Sequence, residues 1–284
     1  MAILKSCENL ATMITKKGMD KMKFADLHNH TKRCNHAVGE CREYVKTALA
    51  RGITAFGFSC HAPMNHDSHY RMQLSEVDDY LSEIRALRDE FRGRIDIKIA
   101  FEVDFITGKP HLLESRILEA EVDYLIGSVH FLNEWGFDNP AYIGNYEGKD
   151  IDSIWREYLE SIANMAQSGH FDIVGHFDLM KIFNNRPSNA VSSDIVRTLE
   201  AIKDNDMALE INGAGLDKQI AEIYPSHAIL STAYKMEIPI SFGSDAHAPQ
   251  KVGIYKDKMI ALAKRVGYKK AVNFRQKQRE FYEI

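Results

Sequence analysis

The sequence predicts a single α/β domain, a closed barrel of seven parallel strands wrapped by helices. Three observations lead there. Short β-branched or aromatic runs alternate with longer amphipathic segments along the chain. No Pro- or Gly-rich linker interrupts the alternation, which argues for one domain. Seven such repeats within about 250 residues fit a closed barrel better than two stacked open sheets.

The strands are read in order. "KFADLHNH" (23–30) and "ITAFGFSCH" (53–61) are the first two, followed by "IDIKIAFEVDF" (95–105) and "DYLIGSVHFL" (123–132). "FDIVGHFD" (171–178), "MALEIN" (207–212) and "IPISFGSDAH" (238–247) complete the set. Between the second and third lies "SEVDDYLSEIRALRDEFRG" (75–93). Its Val77, Leu81, Ile84, Leu87 and Phe91 recur at helical spacing, and Gly93 ends it. "IDSIWREYLESIANMAQSGH" (151–170) is read as a second long helix. The one long loop is 133–150. Its Trp135, Phe137 and Tyr142 mark it as a cover over the barrel mouth rather than a spacer.

Composition narrows the function classes. The chain has 284 residues, 45% hydrophobic and 27% charged, as in a folded globular protein. A formal charge of −4 and the lack of a basic run predict no nucleic-acid partner. Cys7, Cys34, Cys41 and Cys60 cluster in the first quarter without a framework of regular spacings, the pattern of reduced thiols. No apolar run approaches the roughly 20 residues needed to span a bilayer. Charge interrupts residues 1–22 too often for a signal peptide. A cytoplasmic protein with no membrane partner is expected. Its oligomeric state is not legible.

The histidines fall on the strand map in one pattern. "ADLHNHTKRCNHA" places His28 and His30 at the end of the first strand, with His36 just beyond. His61 ends the second strand and Glu102 lies in the third. His130 closes the fourth, His176 lies near the end of the fifth, and Asp245 and His247 close the seventh. In a barrel of parallel strands these ends converge on one face, where chemistry is built. A structural zinc site needs four ligands, usually Cys-rich and local in sequence. Nine imidazole and carboxylate donors spread over the chain are too many for one ion and suit two or three ions of zinc, iron or manganese. A carboxylate such as Glu102 can bridge two of them. Ions about 3.5–4 Å apart generate a hydroxide nucleophile and brace a phosphoryl displacement. The cationic cluster calls for an anionic substrate group, most simply a phosphate ester. The chain is read as a hydrolase.

"DLHNHT", a histidine six residues beyond the HxH pair, "GSVHF", "GHFD" and "GSDAH" together resemble the PHP (polymerase and histidinol phosphatase) superfamily. The resemblance runs from about residue 22 to the end. Within the superfamily, "GSVHFLNEWGFDNP" and "EIYPS" are most similar to its histidinol-phosphatase branch. The resemblance implies a distorted (β/α)7 TIM-like barrel over 22–284, a trinuclear metal centre and hydrolysis of L-histidinol phosphate, in histidine biosynthesis, by a metal-bridging hydroxide. It implies that His28, His30, Glu102 and Asp245 bind one ion, Glu102, His130 and His176 a second, and His36, His61 and His247 a third. Glu102 and Asp245 would then be catalytic through the metals.

Substrate contacts transfer less directly. Arg71 matches a basic position in similar phosphatases and is a candidate to grip phosphate. Lys181, five residues beyond His176, is a second cation. "LEINGAGLDKQIAEIYPS" departs from the family, where Thr is expected near Gly213 and Arg near Asp217; Lys218 is the stand-in for that Arg. Asp26 is read as orienting a histidine of the HxH pair, and Asp178 as orienting His176 or protonating the leaving alkoxide. Cys34 and Cys60 are read as packing residues. His66, His69, His111, His170 and His227 are read as surface residues. Residues 1–21 form an extension with no function read from them. Two other readings stay open: a phosphoesterase for a different small ester, and a non-catalytic metal-binding module.

Overall fold

The computed structural model describes residues 23–284; the extension 1–21, with Cys7, and Met22 lie outside the described residues. The strands, in chain order, are β1 (Ala25–Asp26), β2 (Ala55–Phe58), β3 (Asp96–Asp104), β4 (Tyr124–Ser128), β5 (Phe131–Leu132), β6 (Trp135–Gly136), β7 (Ile173–Val174), β8 (Ala208–Asn212), β9 (Ile240–Gly243), β10 (Lys270–Arg275) and β11 (Gln278–Glu283). Seven of them pair in the order β1-β2-β3-β4-β7-β8-β9, every pair parallel. They occupy the seven positions expected from the sequence. The strands are shorter than the apolar runs because several run on as irregular backbone that carries the functional side chains.

The sheet curls until its edges meet. Leu27 N donates to Phe242 O at 2.8 Å, Asp245 N to His28 O at 2.7 Å, and His30 N to Ala246 O at 3.0 Å. These bonds stitch the ends of β1 and β9 together, so the distorted barrel leaves no long edge unpaired. The two long helices form where periodicity predicts. Val77–Glu90 buries Val77, Tyr80, Leu81, Ile84 and Leu87, and Gly93 follows at φ +78°, a conformation open to glycine. Ile151–Gln167 buries a stripe from Ile154 to Ala166 and starts on the Asp150 side chain, which accepts from Asp152 N. No helix among the described residues is long and apolar enough to cross a membrane.

The antiparallel hairpin β10–β11 closes the lower, N-terminal end of the barrel. Its Val272 and Phe274 join Ala25, Leu27, Tyr124 and Ile126 in a buried cluster inside the strand ring. Tyr124 crosses that interior and donates from its hydroxyl to Leu27 O. A Cβ at Gly57 would fall 1.8 Å from the Tyr124 hydroxyl, so the tyrosine fits only because β2 carries glycine there. One end of the barrel is thus sealed with apolar and aromatic side chains, which leaves the other end for chemistry.

Candidate metal centre

Glu102, in the second half of β3, is the hub of the upper end. Its Oε1 lies 3.0 Å from His176 Nε2 and 3.7 Å from His130 Nε2. Its Oε2 lies 2.9 Å from His61 Nδ1, 3.3 Å from His28 Nε2 and 3.6 Å from His30 Nε2. Asp245 Oδ1 is 3.0 Å from His30 Nε2 and 3.5 Å from His247 Nδ1, and His247 Nε2 lies 2.9 Å from His36 Nε2. The fold therefore brings all nine candidate donors into one continuous cluster.

Backbone geometry aims them. Asp245 and His176 sit just past their strands at φ +52° and +21°, in or at the edge of the left-handed region, where non-glycine residues are held only by their surroundings. The bond from Asp245 N to His28 O holds the first. His176 N donates to Glu210 Oε2 at 2.8 Å and holds the second. Gly243 in "GSDAH" has a steric reason: a Cβ there would meet Glu210 Oε1 at 1.9 Å and His28 Cβ at 2.6 Å.

The hydrogen bonds fix where lone pairs point. His28 Nδ1 donates to Glu210 Oε1 at 2.7 Å, and His130 Nδ1 to Asp104 Oδ1 at 2.5 Å. His36 Nδ1 donates to Cys34 O at 2.7 Å, and His247 Nδ1 to Asp245 O at 3.0 Å. Each neutral ring then carries a lone pair on Nε2. The His36 and His247 lone pairs face each other, and His28 Nε2 faces Glu102 Oε2 with neither atom hydrogen-bonded. Acceptors turned on acceptors in a buried site fit cations between them, and the imidazole–carboxylate set suits divalent transition metals.

The electrostatics divide the rings. Burial lowers His28, but Glu210, Glu102 and Asp245 outweigh it and hold it well above the usual imidazole value, so a metal there would displace a proton. Burial would raise the carboxyl of Glu102, but His28, His61 and His176 outweigh it and hold it well below the usual range. Asp245 is lowered in the same way by His28 and His30. Burial, helped by His247 and His61, keeps His30 well below the usual imidazole value, so it is a neutral donor. Burial also opposes charge on His130, but Asp104 carries it up to about 10, so its Nε2 becomes a metal donor only once a proton is displaced.

The cluster floors a cavity of about 740 Å³. Arg71 and Lys218 line it; Lys218 is exposed at the rim, and Arg71 donates from Nη1 to Asp104 Oδ2 at 2.9 Å. Three expectations change here. Lys181 does not line the cavity: its ammonium is buried against Asp178 Oδ2 at 2.9 Å, Glu222 Oε2 at 3.1 Å and Ile223 O at 3.0 Å. Asp178 therefore neutralises Lys181 and accepts from Ser226 N, leaving His176 Nδ1 without a partner. Asp26 accepts from Ser244 and Asn29, tying β1 to the end of β9, and does not touch the HxH rings.

The role expected of Asp26 falls to Glu210, and Asp104 does the same for His130. Sequence reasoning missed both. The available signal was spacing: Asp104 is two residues beyond Glu102 on the same strand, hence on the same face. The loop 133–150 also differs from expectation. Phe137 is fully buried against Tyr158, and Trp135 packs on Tyr146, so both serve the core. Asp138, Asn139, Pro140 and Tyr142 are the loop residues beyond Gly136 that reach the cavity. His66, read as a surface residue, lines it too. Cys34 and Cys60 are buried, free and close beneath His30.

The model of the family described as PHP domain matches residues 26–214. A probable histidinol-phosphatase of Deinococcus radiodurans is 39% identical over 230 residues, covering 80% of this chain and 88% of its own. The histidinol-phosphatase of Bacillus subtilis is 30% identical over 262 residues, covering 82% of this chain and 96% of its own. Among solved structures, histidinol phosphate phosphatase from Lactococcus lactis, complexed with zinc, L-histidinol and phosphate, superposes with a TM-score of 0.79. It is 22% identical and covers 92% of this chain and 99% of its own, a likeness of fold.

Proposed function

This chain belongs to the PHP domain family, and from that premise we propose that it is a metal-dependent phosphomonoesterase that hydrolyses L-histidinol phosphate to L-histidinol and phosphate. The observation that carries the chemistry is the set of imidazoles whose Nδ1 atoms are hydrogen-bonded while Nε2 of His28 and His130 faces Glu102 and Nε2 of His36 and His247 face each other. The substrate is argued from the relatives in Deinococcus and Bacillus that bear the histidinol-phosphatase name and align along most of their lengths.

The centre uses divalent metal. His28, His30, Glu102 and Asp245 would hold one ion, Glu102, His130 and His176 a second, and His36, His61 and His247 a third, each zinc, iron or manganese. When bound, the ions supply Lewis-acid activation of water and neutralise charge on the phosphoryl group. The chain's own residues do the rest. Glu210 and Asp104 fix ring orientation and tautomer at His28 and His130. Arg71, backed by Asp104, presents positive charge at the cavity wall, and Lys218 at the rim extends it to an incoming phosphate dianion. Water adds to phosphorus, the P–O bond to carbon-bearing oxygen breaks, and that oxygen leaves as the alcohol. The enzyme acts in histidine biosynthesis, in the cytoplasm, on a small molecule rather than on nucleic acid or a membrane.

The test is phosphate release from a panel of esters by the metal-loaded protein. L-Histidinol phosphate should have the highest kcat/KM. No phosphate release from any ester would overturn the enzyme reading, and a clear preference for another ester would overturn the substrate.

A further inference from the structure

Among the described residues two carboxylates that line the cavity make no ion pair, Asp67 and Asp138, and of these only Asp138 is half-buried. Asp138 lines the same space as His130 and His176. The other carboxylates lining the cavity differ. Asp104 is engaged by Arg71 and His130, Asp217 by Lys251 and Tyr255, and Glu134 by Lys109. Glu102 and Asp245 face the imidazoles. Asp67 is exposed at the rim. Asp138 is half-buried, and desolvation raises its carboxyl, the mark of an anion short of compensation.

We infer that Asp138 is the ammonium-recognising residue of the substrate site, the carboxylate that takes the primary amine of an amino-alcohol phosphate while the metal centre takes the phosphate. The inference rests on the phosphatase reading above. In a 2-amino alcohol ester the ammonium sits on the carbon next to the ester-bearing one. Its partner must therefore stand beside the phosphate-binding groups, and Asp138 lines the cavity together with His130 and His176. The aliphatic amine is charged at neutral pH, whereas an imidazole is mostly neutral; a half-buried carboxylate discriminates for the former. Phe131 and Tyr142 line the same cavity and offer apolar surface to the rest of the molecule.

The test compares two esters that differ in the amine alone, L-histidinol phosphate and 3-(imidazol-4-yl)propyl phosphate, on the metal-loaded wild type, Asp138→Asn and Asp138→Glu. The ratio of their kcat/KM values should favour the amine in the wild type. It should fall about 10- to 100-fold in Asp138→Asn, chiefly through KM, and recover in part in Asp138→Glu. Metal content and far-UV circular dichroism should match the wild type, which separates recognition from folding. A wild-type ratio that Asp138→Asn leaves unaltered overturns the assignment of Asp138 alone. A wild type with no preference for the amine ester overturns ammonium recognition altogether, whereas no phosphate release from either ester overturns the parent reading.

Discussion

The two ends of the barrel are built from the same strands and share nothing in chemistry. At the lower end Ala25, Ala55, Ala100, Tyr124, Ile173 and Ala208 point inward, and the hairpin β10–β11 seals them with Val272 and Phe274. At the upper end the inward positions are Glu102, Glu210 and the strand-end histidines. Glycines mark the crossing points of both: Gly57 makes room for the Tyr124 hydroxyl below, and Gly243 for Glu210 and His28 above. The difference teaches that a parallel barrel separates stability from function along its axis, so each can be disturbed alone.

The sharpest way to break that separation is at the hub. Glu102→Gln keeps size and removes the charge facing five imidazoles. Turnover should fall by about three orders of magnitude or more, with far-UV circular dichroism showing the barrel still folded. A fully active, metal-replete variant would remove Glu102 from the centre. The converse disturbance is Phe274→Ala, which empties a site 1% exposed beside Tyr124. Chemical denaturation should register a loss of about 3–5 kcal/mol. The kcat of the folded fraction should stay near wild type; a matching drop would mean the ends are coupled.

Glu210→Gln probes the orientation of His28 without touching a proposed ligand atom. Metal affinity should weaken about 10- to 100-fold while folding is kept, read by competition with a chromophoric chelator. Unchanged affinity would show that His28 needs no such support.

The smallest effect is one of pH. In the metal-free protein His130 holds a proton up to about pH 10 because of Asp104, and coordination through Nε2 must expel it. Lower pH therefore opposes binding. Between pH 6 and 8 the apparent affinity for zinc should rise about tenfold per unit for each proton released. Asp104→Asn should flatten that slope, since His130 then gives up its proton earlier.

The same contrast explains what could be read from the sequence. Strand positions were legible because each is a short apolar run bounded by turn residues. The donors were legible because they recur at strand ends, a place set by the barrel and not by side-chain contacts. The hairpin β10–β11 escaped notice because its turn, Gln276-Lys277, adopts positive φ at both residues without the Asn-Gly signature of such turns. It is anchored instead by Asp123, which accepts from both turn amides. Glu210 and Asp104 were missed because their partners lie across the barrel or on a neighbouring strand, in a register only the fold defines. Lys181 misled because distance along the chain does not give direction: the short helical turn Leu179–Phe183 points its ammonium toward Asp178, away from the cavity.

The central claim is that nine side chains drawn from the upper end of one barrel hold a cluster of metal ions. Elemental analysis of the protein, purified without chelator and supplemented with zinc or manganese before desalting, tests it most directly. A value approaching three ions per chain is expected; a reproducible value near one would rule out the cluster.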